Sequence, residues 1–267
     1  CAGCYIGSSP TNDALVYLKA GEVSRFLDEV EAEQLPSREI GFTGGEPFMN
    51  PDIIEMLDAA LSRHFDVLVL TNAMKPMRRH EAALLALGQQ HGAHLTLRVS
   101  LDHHTAEVHA AERGPGTFAA ALDGLGWLAQ HGFSIAVAGR LLPHECESEA
   151  RAGYAALFAD HGIAVDADNP VRLVLFPEMD ANADIAEITT DCWNILGKQP
   201  SEVMCATSRM VVHRKGEPAA RVAACTLLPY DRQFDLGGDL AEAARPVRLN
   251  HPHCARFCVL GGASCST

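Results

Sequence analysis

Between residues 37 and about 177 the chain alternates short β-rich runs with helical patterns, and nothing else in the sequence restricts its fold as much. Strands read at 38–43 (REIGFT), 66–71 (DVLVLT), 94–101 (HLTLRVSL), 134–140 (SIAVAGR) and 171–176 (VRLVLF). They are rich in Val, Ile and Leu and apolar on both faces for most of their length, as buried parallel strands are. Helices read at 21–31, 51–63, 77–91, 117–130 and 147–160. The second of these opens with Asn50 as N-cap and Pro51 at the first helical position, and Gly92 and Gly132 close the third and fourth. Strands separated by helices make right-handed βαβ units of one parallel sheet. Periodicity leaves open whether that sheet is doubly wound or curled into a barrel. In either case, residues with chemistry to perform sit at the C-terminal strand ends.

The pattern changes after Pro177. Residues 178–184 are acidic and loop-like, and a short helix reads at 187–196. Strand-like runs at 208–214 and 219–225 then flank Lys215-Gly216-Glu217-Pro218, a β-hairpin signal. These boundaries predict a barrel or open-sheet domain over 1–180, a linker helix over 181–204 and a small α+β domain over 205–267.

Bulk properties exclude several classes of function. The 267 residues are 48% hydrophobic, enough for a packed core, so disorder is excluded. The net charge is −13 with no Lys/Arg block, whereas a nucleic-acid surface needs clustered cations. No apolar run approaches the ~20 residues that cross a bilayer. Neither a membrane nor a nucleic acid is therefore expected as a partner, and without an export signal a cytoplasmic setting is expected.

Nine cysteines are unevenly placed: Cys1 and Cys4 open the chain, Cys205, Cys225, Cys254, Cys258 and Cys265 crowd its last quarter, and only Cys146 and Cys192 lie between. A chain of this size needs no disulfide staples, so clustered thiols point to metal or iron–sulfur ligation. Cys146 and Cys192, on or beside helices, are expected to be buried and inert. Alone, Cys1-x-x-Cys4 fits a redox pair, half a zinc site or part of an iron–sulfur motif. A thioredoxin-like pair is disfavoured, because the Gly/Ser/Pro-rich segment that follows opens no long helix. At the end of the first predicted strand stands Thr43-Gly44-Gly45-Glu46-Pro47. Two glycines let the backbone approach a ligand closely, and the carboxylate beside them suits an ammonium group.

Together these features resemble the radical S-adenosylmethionine (SAM) superfamily, whose cluster motif is CxxxCxxC and whose next hallmark is a GGEP-type turn. Cys1 and Cys4 match the second and third cysteines; the first would lie four positions before Cys1, outside this sequence. The resemblance implies a partial (β/α)6 TIM-like barrel with its first strand missing. It also implies a [4Fe–4S] cluster that leaves one iron open for SAM, and an electron donor such as flavodoxin or ferredoxin. Gly44, Gly45 and Glu46 would then bind the methionyl ammonium. Thr71-Asn72 resembles the family's TN(G) turn, with Ala73 in place of Gly. Ser100-Leu101-Asp102 is similar to its SLD, with Ser100 facing SAM and Asp102 facing the ribose or the turn. Arg140 would meet the methionyl carboxylate, while Arg113 is expected in an interhelix salt bridge. The five late cysteines resemble SPASM/twitch extensions, implying an auxiliary [4Fe–4S] cluster, although four thiolates would serve zinc equally well. The 13 histidines, among them His103, His104, His109, His251 and His253, are expected in structural or surface roles. The substrate class implied is a peptide, with a small molecule as the alternative.

Overall fold

The computed structural model describes residues 7–9, 11–177 and 187–260. They fall into two compact units: Lys19–Phe176 makes up the first, and the described parts of Cys4–Leu18 and Pro177–Thr267 the second. The earliest strand, β1 (Leu15–Val16), belongs to the second unit.

The first unit runs α1 (Ala20–Ala32), β2 (Glu39–Phe42), α2 (Ile53–Leu61), β3 (Asp66–Thr71), α3 (Lys75–Arg78), α4 (Glu81–His91) and β4 (Leu95–Ser100). It continues with α5 (Ala106–Arg113), α6 (Thr117–Gln130), β5 (Ser134–Leu141), α7 (Glu147–Asp160) and β6 (Leu173–Pro177). Sheet order follows chain order, β2-β3-β4-β5-β6, and the pairs from β2 through β5 are parallel. Side chains divide by strand periodicity. On β4, Leu95, Leu97 and Val99 are fully buried on one face, while Thr96, Arg98 and Ser100 share the other. That second face is polar: the Thr96 hydroxyl donates to Ser134 Oγ at 3.0 Å, and Arg172 Nη1 donates to the same oxygen at 2.9 Å. Arg98, only 2% exposed, lies in register between Leu70 and Ala136.

All five strands expected in this region form, and α6 and α7 keep the predicted limits. The long helix expected at 77–91 is two. The N–H groups of Arg79 and His80 bond three residues back, to Pro76 and Met77, which tightens the turn; the chain re-enters a helix at Glu81. At α2 the helix proper begins at Ile53, after a turn in which Asn50 Oδ1 accepts the Asp52 N–H at 3.0 Å. Helix α5 was not anticipated; its one fully buried residue is His109, so it shows no apolar stripe.

The second unit holds α8 (Cys192–Leu196), α9 (Met204–Thr207), β7 (Met210–Arg214), β8 (Arg221–Ala223), β9 (Asp235–Gly237), α10 (Leu240–Ala243) and a π-helical turn over Cys254–Leu260. Its sheet order is β1-β7-β8-β9, antiparallel throughout. The expected hairpin forms as β7 and β8, and the helix expected at 187–196 shortens to α8. Asp235 ties the sheet together: Arg221 grips it from Nε and Nη2, and Arg214 Nη1 reaches it at 2.7 Å. Among the described residues no helix is long and apolar enough to cross a membrane.

Candidate active site and thiol pocket

β2 delivers Gly44, Gly45 and Glu46 at its C-terminal end. Gly44 has φ +145°, a conformation that favours glycine, and a Cβ there would meet nothing within 4 Å among the described residues. Glu46 folds back over the short turn Pro47–Met49. Its Oε1 accepts the Phe48 N–H at 3.2 Å and the Thr71 hydroxyl at 2.8 Å, and its Oε2 accepts the Asn72 N–H at 2.8 Å. The carboxylate therefore clips the β2 loop to the end of β3. Burial pushes its pKa up, while these three hydrogen bonds act to hold it down. An ionised carboxylate has about four acceptor positions; one remains, on Oε2, for an incoming cation. Thr71, the hydroxyl partner, was not singled out from sequence.

Asn72 is half-buried and its Oδ1 accepts the Met74 N–H at 2.9 Å, which leaves its amide NH2 to donate elsewhere. Ala73 stands in the left-handed region at φ +56°, which explains why glycine suits this position. Gly124 of α6 packs against the Ala73 carbonyl so closely that a Cβ there would overlap it.

At the end of β4, Ser100 is half-buried beside Ala138 and its hydroxyl makes no hydrogen bond among the described residues. Asp102, 4% exposed, is gripped by Arg113 through Nε–Oδ2 and Nη2–Oδ1 contacts of 2.8 Å each. Its backbone N–H donates to His109 Nδ1 at 3.2 Å, and its carbonyl accepts the Arg140 N–H at 2.8 Å. The Arg140 guanidinium lies 3.2 Å from Glu112 and 3.6 Å from Asp102. Two carboxylates and two guanidiniums thus form a neutral, largely buried set. Arg113 forms a salt bridge, but with Asp102 in the turn after β4 and not with another helix as expected. Asp102 and Arg140, expected to face the ribose and the methionyl carboxylate, meet charged groups of this chain in the unliganded protein. Glu112 carried no sequence signal.

His103 donates from Nε2 to Glu145 at 2.7 Å, since its Nδ1 accepts the Thr105 N–H at 3.0 Å. Glu145 in turn accepts the Leu142 N–H at 3.0 Å. This joins the loops after β4 and β5, the structural role expected of these histidines.

Cys1, Cys4 and Cys265 lie outside the described residues. In the second unit, Cys205 of α9, Cys225 just after β8, and Cys254 and Cys258 of the π-helical turn line one pocket, together with His253, Leu227, Leu228 and Phe234. Burial pushes the Cys205 and Cys254 thiols up, and the proximity of Cys205 raises Cys254 further. Among the described residues, no three His, Cys, Asp or Glu side chains close on a point that would hold a single metal ion. Cys192 is half-buried, and Cys146 is exposed rather than buried; the hydroxyl of Ser148, 3.0 Å from its sulfur, draws that thiol's pKa down.

A family model described as the radical SAM superfamily matches residues 1–152. The mycofactocin maturase MftC of Mycobacterium ulcerans is 37% identical over 119 residues, covering 45% of this chain and 30% of the maturase. The antilisterial bacteriocin subtilosin biosynthesis protein AlbA of Bacillus subtilis is 34% identical over 139 residues, covering 52% of this chain and 29% of AlbA. The GTP 3',8-cyclase of Rhodococcus opacus is 28% identical, covering 47% of this chain and 43% of the cyclase. The chain therefore matches less than a third of the length of MftC or AlbA. Among solved structures, anSMEcpe with bound AdoMet aligns with a TM-score of 0.61 at 15% identity, covering 99% of this chain and 77% of that one. This likeness in fold decides the question the strand periodicity left open: the parallel sheet is a partial TIM-like barrel.

Proposed function

The chain belongs to the radical SAM superfamily, and from that premise we propose that it serves an enzyme that modifies a peptide. Bound at the cysteine motif, a [4Fe–4S] cluster supplies the electron that cleaves SAM to methionine and a 5′-deoxyadenosyl radical, which abstracts hydrogen from the substrate. A flavodoxin or ferredoxin would supply that electron to the cluster, with Cys1 and Cys4 as two of its ligands.

The observation that carries this reading is the Glu46 turn. Its carboxylate is held by three donors beside a glycine loop, with one acceptor position left, which fits an ammonium group. Gly44 and Gly45 let the cofactor's amino-acid end approach the backbone, and the free amide of Asn72 and hydroxyl of Ser100 orient it. Asp102 and Arg140 complete the set. By exchanging in-chain partners, Arg140 would take up the methionyl carboxylate, and the Asp102–Arg113 pair would hold the β4 turn beneath the ribose. Binding of SAM to the cluster-loaded protein, with formation of 5′-deoxyadenosine under reducing conditions, tests the assignment. Wild-type turnover that survives undiminished in Glu46→Gln would overturn it.

We assign the barrel to residues 1–180 apart from the segment up to Leu18 that joins the second unit through β1, a linker to 181–204, and an auxiliary cluster domain to 205–267. Cys205, Cys225, Cys254 and Cys258 line one pocket, and Cys265 is the further candidate ligand. Four thiolates in one pocket are the donor set that holds a [4Fe–4S] cluster. The peptide assignment is supported by the names of relatives that mature mycofactocin or help make a bacteriocin. The GTP 3',8-cyclase relative favours a second reading, oxidation or rearrangement of a small molecule. A mass change in a short peptide encoded beside the gene would select the first. Oxygen-sensitive clusters suit a cytoplasmic setting.

A further inference from the structure

His253 stands in the thiol pocket with Cys205, Cys225, Cys254 and Cys258. Its Nδ1 is out of contact with solvent and has no hydrogen-bond partner among the described residues. A buried polar nitrogen left unpaired costs about 1–3 kcal/mol, and buried polar groups are as a rule satisfied by something. The backbone N–H of His253 donates to His251 Nδ1 at 3.1 Å, and the two imidazoles meet edge to face at 4.6 Å, which limits the ring's orientation. Of the remaining pocket walls, Leu227, Leu228 and Phe234 are apolar, and the one thioether, Met204 Sδ, accepts the Thr226 hydroxyl at 3.5 Å. A cluster bound by the four thiolates would bring the missing acceptors, its bridging sulfides and the ligand sulfurs.

We propose that His253 donates an N–H···S hydrogen bond from Nδ1 to the cluster held in this pocket, and so raises that cluster's reduction potential. The inference rests on the auxiliary-cluster reading above. Hydrogen bonds to cluster sulfurs draw electron density from the iron and favour the reduced state. His253 is here a positioning and tuning group; the four thiolates supply the iron ligands.

The test uses the reconstituted protein carrying Cys1→Ala and Cys4→Ala, so that the pocket's cluster is observed alone. Its midpoint potential is followed by EPR titration in this background and with His253→Leu or His253→Asn added. The leucine variant is expected to keep its iron content. At a fixed potential, its ratio of reduced to oxidised cluster should fall about tenfold, or ~59 mV for one electron. Asparagine, which keeps an N–H donor near the Nδ1 position, is expected to recover most of the shift. On the unsubstituted histidine, ENDOR should find a proton coupling that disappears in deuterated buffer and is absent from the leucine variant. An unchanged potential in a fully loaded leucine variant would overturn the proposal. So would a strong directly bonded nitrogen coupling, which makes His253 an iron ligand. If the Cys1→Ala/Cys4→Ala protein holds no iron at all, the auxiliary-cluster reading itself fails, an outcome distinct from the other two.

Discussion

The Glu46 carboxylate lies at the junction of two strand ends, and burial pushes its pKa above the ordinary value of 4.5. A carboxyl group raised on folding stabilises the protein in its protonated form. That contribution is complete below the unfolded value and is lost as pH climbs through the raised one. Binding of an ammonium runs the other way, because only the ionised form attracts it. From pH 4.5 upward through the raised pKa, stability of the unliganded protein should fall while affinity for SAM rises; parallel melting and calorimetric titrations would read both. Glu46→Gln should flatten the affinity profile and cost at least about tenfold in binding, since an amide NH2 would face the Asn72 N–H or the Thr71 hydroxyl. At Asp102 the stake is stability. Asp102→Ala leaves the Arg113 and Arg140 guanidiniums without their shared carboxylate and should cost about 3 kcal/mol or more in chemical denaturation. Both acids stood out in the sequence by their place at strand ends. Their contacts did not, because Thr71 and Asn72 are brought to Glu46 by strand pairing 25 and 26 residues later, and such contacts leave no periodic trace.

Elements in the first unit were legible where burial imposes a period. β3 is apolar at four of its six positions and β4 alternates apolar with polar ones, and α6 and α7 start and stop where the sequence says, α6 beginning directly after Gly116 in a left-handed conformation. α5 and β9 were not legible. The first buries one histidine, and the second is three residues paired with β8, its Asp235 gripped by Arg221. The docking of α6 on the β3 loop depends on Gly124, a glycine whose helical setting gives no sign of its role. Gly124→Ala would push against the Ala73 carbonyl, and a crowded core site typically costs about 1–3 kcal/mol. Because Ala73 follows Asn72, the same substitution should weaken SAM binding while leaving every ligand side chain in place. Equilibrium unfolding and a binding isotherm on one preparation would separate the two effects.

For the molecule as a whole, the clustering of late cysteines was plain in the sequence, but which thiols share a pocket was not. Cys205 and Cys225 come together through a hairpin, and Cys254 and Cys258 arrive on a π-helical turn, whose wider winding no helical template anticipates. Replacing Cys225 by Ser should lower iron content by one cluster's worth and leave SAM binding at the other site intact, as iron assay and isotherm would register. The pairing of β1 with β7 has a further effect, in time. Leu15 lies opposite Arg214, and Lys215 near the hairpin turn forms an ion pair with Asp13, so the edge of the second sheet joins residues about two hundred positions apart. Closing so long a loop is slow, because its entropy must be lost before the pairing rewards it. During synthesis the segment after Cys4 therefore waits, unpaired, while the whole of α1 to β6 leaves the ribosome and has time to fold. The second unit is begun before α1 and completed only after β6, and pulse-labelled nascent chains should acquire protease resistance in the barrel well before they acquire it at residues 11–18.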